Sequence, residues 1–129
     1  MDILTILLKL VLAIALGGII GLEREASQKP AGFRTNILVC VGSTMMMALA
    51  VLLVQSKGGT SDTLVRMAAG VITGMGFLGA GTIFQSRGAI AGLTTASTLW
   101  LVAGLGLVIG AGYYLPALIF TGLTITTLL

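Results

Sequence analysis

The chain has 129 residues, of which 57% are hydrophobic and only 9% are charged, and it contains 19 glycines and no histidine. This composition is typical of integral membrane proteins, because the charged side chains are too few to cover a soluble domain of this length. The net charge of +3 comes from scattered basic residues rather than a contiguous stripe. This pattern argues against nucleic-acid binding and favours the lipid bilayer and its anionic headgroups as partners.

The few chemically reactive residues argue against catalysis. The single cysteine, Cys40, cannot form an intramolecular disulfide, and without histidine a Cys/His metal site is excluded. A serine or cysteine nucleophile would also lack its usual base, and the carboxylates have no paired spacing. We therefore expect no enzyme activity and no cofactor, with Cys40 as a small packing residue.

Five apolar segments approach the length of roughly 20 residues that a membrane-spanning helix requires. In chain order they cover residues 3–22, 34–54, 62–85, 94–110 and 113–129. Short breaks rich in Gly, Ser and Pro separate them, so successive helices should run antiparallel as neighbours. The sequence predicts an all-α, polytopic bundle of five transmembrane helices in one domain, residues 1–129.

The first connection concentrates charge. The stretch GLEREASQKPAGFRTN, residues 21–36, holds five of the eleven charges of the chain. We expect Glu23 to pair with Arg34 or with Arg87 from the third connection. Lys9 lies inside the first span, and its long side chain should let it snorkel to the nearer membrane surface.

The second connection, at the opposite end, places Asp62 four residues before Arg66. A helix cap with an i,i+4 ion pair explains both residues without a further function.

Glycines recur in the first, third and fourth spans at spacings that allow close helix packing. They are Gly17, Gly21, Gly70, Gly74, Gly76, Gly79, Gly81, Gly106 and Gly110. Two interpretations of the third-span cluster stay open: tight packing within the bundle or between subunits, or a discontinuous helix that lines a cavity.

The fourth span begins with four hydroxyl side chains within residues 94–98, one of which could cap the helix. Its N-terminus should face the same side as Glu23. A polar cluster is therefore predicted from Glu23, Arg34, Asn36, Arg87, Thr94 and Thr95. The alternative is ordinary anchoring of these residues at the membrane surface.

Basic residues are more frequent in the first and third connections than in the second. The positive-inside rule then predicts an outer N-terminus and a cytoplasmic C-terminus. The last span ends on Leu129 without a polar tail. Either a shortened chain or a soluble domain carried elsewhere would account for this ending.

Four motifs in order along the chain resemble the MgtC/SapB family of bacterial inner-membrane proteins. They are GIIGLERE (18–25), AGFRTN (31–36), GMGFLGAGT (74–82) and GLTTASTLW (92–100). By position, the residues that match the polar motifs of the family are Glu23, Arg24, Arg34, Thr35, Asn36, Arg66, Thr94 and Thr95. One departure is Gly70, which stands where many relatives carry a glutamine.

This resemblance implies a five-span domain, which many members follow with a cytoplasmic domain that is absent here. It also implies a role in adaptation to scarce magnesium, and in some members virulence or acid tolerance. Two hypotheses remain: regulation of other membrane proteins, which we favour, or Mg²⁺ translocation by a homo-oligomer. Mg²⁺ would then be a ligand or substrate, and the sequence identifies no residues that bind it.

Overall fold

The computed structural model describes residues 2–86 and 88–129, which form five α-helices and a short β-hairpin. The helices are α1 (Ile3–Ala26), α2 (Phe33–Lys57), α3 (Ser61–Ala80), α4 (Leu93–Gly110) and α5 (Tyr114–Leu128). The hairpin pairs β1 (Phe84–Ser86) antiparallel with β2 (Ala89–Ala91). The predicted helical bundle is therefore confirmed.

Local signals in the sequence account for the helix ends. The carboxylate of Asp2 accepts a hydrogen bond from the Thr5 backbone N–H at 2.9 Å, which caps α1 and lowers the pKa of Asp2. At the end of α2, Gly58 adopts a φ of 85°, which favours glycine and stops the helix. The Thr60 hydroxyl accepts from the Asp62 N–H at 3.3 Å and caps α3.

Helices α1 to α4 are long and apolar enough to cross a membrane. Helix α5 is apolar but has 15 residues, so it spans only about 22 Å of the roughly 30 Å hydrocarbon core. Large apolar side chains cover the outer surfaces of the bundle, including Leu38 at 71% and Phe77 at 82% exposure. Such surfaces are compatible with lipid as the solvent.

Helices α2 and α4 lie close together, because glycines on α4 let the two backbones touch. A Cβ atom added at Gly110 would lie 2.6 Å from the Thr44 carbonyl oxygen, and one at Gly106 would collide with the Ser43 hydroxyl. The Thr44 hydroxyl donates to the Gly106 carbonyl at 3.0 Å across the interface. Close backbone approach and an interhelical hydrogen bond thus stabilise the same crossing.

The crossing of α1 and α2 uses a second glycine pair. An added Cβ at Gly17 would lie 2.7 Å from the Cys40 Cβ, and one at Gly21 would lie 2.8 Å from the Phe33 Cα. The contacts advance along α1 while they retreat along α2, so these two helices run antiparallel.

The main core forms where α1, α2, α4 and α5 meet. It consists of Ala13, Leu16, Ile20, Cys40, Val102, Leu105, Ile109 and Ala117. Cys40 is fully buried in this cluster, where it serves as a packing residue. Apolar side chains therefore fill the centre of the bundle.

Helix α3 lies at the side of the bundle and runs without interruption through Gly70, Gly74 and Gly76. The discontinuous-helix interpretation is therefore wrong for this helix. An added Cβ at Gly79 would lie 3.5 Å from the Ala96 carbonyl, where α3 meets α4, and one at Gly81 would meet only the Leu78 carbonyl of its own helix.

The other three glycines of α3 do not pack within this chain. A Cβ atom at Gly70, Gly74 or Gly76 would have no atom within 4 Å. Among the described residues, these three positions therefore face open space.

The predicted third span, 62–85, is wrong at its end, because α3 stops at Ala80. The Thr82 hydroxyl donates to the Gly79 carbonyl at 2.7 Å and the chain then enters the hairpin. Gly92 closes this connection with a φ of 91°, and an added Cβ there would collide with the Thr82 carbonyl oxygen. Only glycine fits both the backbone angle and the contact.

Candidate functional site

The first and third connections lie together at one end of the bundle and enclose a pocket of about 420 Å³. We call it the rim pocket. Its lining residues are Gln28, Lys29 and Pro30 from the first connection, Phe84, Ile90, Ala91 and Gly92 from the third, and Leu93, Thr94 and Thr95 from the first turn of α4. Two connections that are distant in the sequence thus form one surface feature.

An ion pair lies beside this pocket, at the end of α1. The Arg24 Nε donates to Glu23 Oε2 at 2.7 Å, and Arg24 Nη2 donates to Glu23 Oε1 at 3.2 Å. The Ser27 hydroxyl also donates to Glu23 Oε1 at 3.1 Å. The predicted pairing of Glu23 with Arg34 is wrong, because the buried Arg24 guanidinium takes both carboxylate oxygens while Arg34 is exposed.

Asn36 ties the first connection to α2. Its side chain is fully buried, and Nδ2 donates to the carbonyl oxygens of Ala31 at 3.2 Å and Gly32 at 2.8 Å. The Oδ1 atom of Asn36 and the Nη1 atom of Arg24 are buried without a hydrogen-bond partner among the described residues. Buried polar atoms of this kind are costly, so this end of the bundle carries polar groups that packing alone does not explain.

Replacing Asn36 with leucine should destabilise the folded chain by about 1–3 kcal/mol, because the Nδ2 hydrogen bonds to the Ala31 and Gly32 carbonyls are lost and only the Gly32 carbonyl keeps a second donor, the Asn36 backbone N–H. Unfolding in detergent, compared with that of the wild type, measures this loss. Thr35→Ala, at an exposed neighbouring position, is the control and should change the stability by less than about 0.5 kcal/mol. Equal stability of both variants would show that Asn36 does not hold the turn.

Thr94 and Thr95 lie in the first turn of α4 and line the rim pocket. The predicted capping by a hydroxyl is wrong: the N-cap is Gly92, and no side chain caps this helix end. The Ser97 and Thr98 hydroxyls instead donate to carbonyls one turn back, those of Leu93 and Thr94. The first-turn amides of α4 thus keep their capacity to bind an acceptor.

Other residues of the predicted polar cluster stand apart from these contacts. Arg34 and Thr35 are exposed on the first turn of α2. Arg87 lies outside the described residues. At the opposite end, Asp62 and Arg66 are both exposed, and no ion pair joins them in the described part of the chain. Water and headgroups can solvate both charges, which removes the need for a partner.

Lys9 does not snorkel to the membrane surface as predicted, because its side chain is buried in the bundle. It is 3% exposed, and its ammonium donates to the Gly110 carbonyl at the end of α4 at 2.6 Å. A cation suits a helix C-terminus, where carbonyl groups lack helical partners. The position of Lys9 inside an apolar span could have indicated this buried contact, since a charge at such a position usually faces protein rather than lipid.

The carboxylates of the chain lie near the two ends of the bundle. Asp2 and Asp62 precede or begin helices at one end, and Glu23 and Glu25 lie in the last turns of α1 at the other. Among the described residues, no three His, Cys, Asp or Glu side chains are grouped so that they could hold a metal ion.

Several known proteins are similar to this chain in sequence. The profile of the MgtC family matches residues 10–129. Protein MgtC of Salmonella typhimurium is 42% identical over 89% of this chain and 47% of its own length. Protein SrpB of Synechococcus elongatus is 40% identical over 98% of this chain and 75% of its own length.

The putative magnesium transporter YhiD of Escherichia coli K12 is 41% identical over 84% of this chain and 52% of its own length. The chain thus spans about half the length of the Salmonella and E. coli relatives. No solved structure matches it significantly. Four helices are long and apolar enough to span a membrane, and the family profile matches nearly the whole chain. This chain is therefore a multi-pass bacterial membrane protein that belongs to the MgtC family.

Proposed function

We propose that this chain is a regulatory membrane protein of magnesium homeostasis that supports adaptation to low Mg²⁺ by binding other membrane proteins rather than by catalysis. The family and the name of the E. coli relative support the link to magnesium. The observation that carries the binding role is an open groove between α2 and α3.

This α2–α3 groove has a volume of about 470 Å³ and opens on the outer surface of the bundle. Its lining residues are Leu38, Val39, Gly42, Ser43 and Met46 of α2, Val71, Gly74, Met75 and Leu78 of α3, and Ala103 of α4. A Cβ atom at Gly42 or Gly74 would have no atom within 4 Å, so the groove floor is open on both helices.

The groove surface suits a transmembrane helix of another protein. The Ser43 hydroxyl donates to the Val39 carbonyl of its own helix at 2.9 Å. Its donor is therefore already used, and the α2 wall of the groove presents mainly apolar surface. Glycines in both walls allow a partner backbone to approach closely, which is how helices associate in lipid. A second copy of this chain could also use the open glycines of α3, in keeping with the predicted homo-oligomer.

Mg²⁺ translocation is the second candidate, and the name of the E. coli relative favours it. Mg²⁺ prefers six oxygen ligands and retains much of its water. Within one chain, the fully buried side chains of Ile20, Val102, Leu105 and Ile109 occupy the centre of the bundle. A path for the hydrated ion would therefore have to form between subunits.

Site-directed photo-crosslinking tests the binding proposal. A photoreactive residue at Leu38, in cells grown at low Mg²⁺, should yield a defined adduct with an integral membrane protein of magnesium transport or sensing. The double variant Gly42→Leu/Gly74→Leu fills the groove and should lower the adduct yield about tenfold, as a loss of about 1.4 kcal/mol would.

The matched control is Gly122→Leu on α5, where an added Cβ also meets no atom within 4 Å. It should leave the adduct and the growth at low Mg²⁺ unchanged, whereas the groove variant should lose both. Growth that survives the groove variant would contradict the proposal.

A flux measurement separates the two candidates. Purified protein in liposomes with an internal Mg²⁺ dye should give no more uptake than empty liposomes. Uptake that depends on the protein and disappears in Glu23→Gln or Arg34→Ala would establish translocation instead. We also propose, from the distribution of basic residues, that the rim pocket faces the cytoplasm.

A further inference from the structure

Helix α3 presents one face away from the bundle. Its buried residues, Met75 and Gly79, lie on the side that packs against α4. On the opposite side, five exposed residues lie within about 80° of one another, because successive residues of a helix are about 100° apart. We call them the exposed α3 face: Asp62, Arg66, Gly70, Thr73 and Phe77. None of these residues lines the α2–α3 groove, so the face is a separate surface.

Two charges of opposite sign lie at the N-terminal end of this face. Asp62 and Arg66 are four residues apart, a spacing that allows an ion pair on one helix, yet no such pair joins them in the described part of the chain. Both charges are therefore available to groups outside the chain. A face that carries one acid and one base is complementary to a second copy of itself, because each carboxylate can meet the guanidinium of the other copy.

Two-fold symmetry would bring these charges together. Copies of the chain that insert with the same orientation can pair about an axis along the membrane normal, which places their α3 helices in parallel. Arg66 lies four residues, or about 6 Å, along the helix from Asp62. The long arginine side chain can cover this rise and reach Asp62 of the second copy. Two reciprocal ion pairs would form at this register, and a shifted register would lose them.

The rest of the exposed α3 face can accommodate a second helix. An added Cβ at Gly70 would have no atom of the described chain within 4 Å, so another backbone can approach closely there. Thr73 lies one turn further on and can donate a hydrogen bond across the contact. Close approach and interhelical hydrogen bonds are the usual sources of helix association in lipid. The side chain of Phe77, 82% exposed in one chain, would gain an aromatic neighbour in its symmetry mate.

We propose that the exposed α3 face is a homodimer interface in which two copies of this chain exchange ion pairs between Asp62 and Arg66. Packing around Gly70 and Thr73 provides most of the affinity, because ion pairs near water contribute little. The charges instead fix the register and the choice of partner. This contact goes beyond the binding of other membrane proteins in the α2–α3 groove and uses a different side of α3, so either can fail without the other.

Disulfide crosslinking of the purified chain in liposomes tests the contact. In a Cys40→Ala background, Thr73→Cys should form a covalent dimer when copper phenanthroline is added as oxidant, because the symmetry brings the two thiols together. Gly122→Cys, exposed on α5, is the matched control and should stay mainly monomeric at the same protein-to-lipid ratio. Equal dimer yields at the two positions would reflect random collision and would overturn the proposal.

Charge reversal tests the exchange of ion pairs. In the Thr73→Cys chain, Arg66→Asp leaves two acids on the face and Asp62→Arg leaves two bases. Each change alone should lower the dimer yield at least about fivefold, because like charges then oppose each other across the contact. Both positions are exposed, so melting in detergent should not change.

Mixing the two charge variants gives the decisive result. With tags of different size, the mixed dimer should form as well as the wild-type dimer, because the acids of one copy meet the bases of the other. An ion pair within one chain could not be restored in this way. Absence of the mixed dimer would therefore overturn the exchange between Asp62 and Arg66.

Gly70→Leu tests the close approach of the two helices. The monomer has room for the new side chain, so its melting in detergent should not fall. The dimer yield of the Thr73→Cys chain should drop about tenfold, because leucine holds the two α3 helices apart. Gly122→Leu, another substitution at an open glycine, should leave the yield unchanged. A dimer that forms equally well with Gly70→Leu would contradict the proposed interface.

Discussion

Gly106→Ala should destabilise the folded chain by about 2 kcal/mol, whereas the same change two residues earlier, at Gly104, should stabilise it by up to about 1 kcal/mol. A methyl group at Gly106 would meet the Ser43 hydroxyl and would lie 2.5 Å from the Cys40 carbonyl oxygen. Helices α2 and α4 would have to move apart and would strain the Thr44 hydrogen bond between them.

Gly104 is a matched control because it lies on the same helix. An added Cβ there has no atom within 4 Å, so alanine only relieves the helix of a flexible residue. Reversible unfolding of both variants in bicelles measures the two free energies. Equal stability of Gly106→Ala and Gly104→Ala would contradict the close α2–α4 crossing.

A double-mutant cycle refines this test. Ser43→Ala removes the hydroxyl that the new methyl group would meet first, so it should recover part of the loss in Gly106→Ala. The Cys40 carbonyl stays in place, and full recovery is therefore not expected. Additive effects of the two changes would indicate that Ser43 and Gly106 do not contact each other.

Lys9→Met should destabilise the chain by about 2 kcal/mol, because the buried Gly110 carbonyl would lose a charged hydrogen-bond donor. Methionine keeps most of the side-chain volume, so packing loss contributes little. The same change at the exposed Lys57 should alter the free energy of unfolding by less than about 0.5 kcal/mol.

This prediction opposes the snorkelling interpretation of Lys9. A lysine that reached the membrane surface could be replaced by methionine without loss, or even with a gain in apolar contact. Unfolding of Lys9→Met and Lys57→Met under one condition distinguishes the two views. An unchanged or raised stability of Lys9→Met would show that the ammonium does not support the end of α4.

The sequence predicted the bundle well where hydropathy decides the structure. The fourth span, 94–110, agrees with α4 within one residue, because Gly92 and Gly112 interrupt the apolar run at both ends. The end of the third span was missed, because residues 81–85 carry no charge while the chain leaves the helix. Gly81, Thr82 and Gly88 were the available signals for the hairpin.

Pairings of side chains were harder to predict than helices. Glu23 was predicted to pair with Arg34 or Arg87 because no basic residue follows it at the helical spacing of three or four positions, yet the neighbouring Arg24 side chain reaches back to it. Lys29 belongs to the charged stretch 21–36, and its place in the rim pocket depends on how two connections meet. Such proximity is a property of the tertiary fold, which a local pattern does not encode.

The rim pocket exists only if the first and third connections lie together at one end of the bundle. Labelling with an impermeant thiol reagent tests it directly in a Cys40→Ala background, with single substitutions Ser27→Cys, Ile90→Cys and Ser61→Cys. Ser27→Cys and Ile90→Cys should react from the same side of the membrane, and Ser61→Cys only from the other. Reaction of Ser27→Cys and Ile90→Cys from opposite sides would contradict the rim pocket.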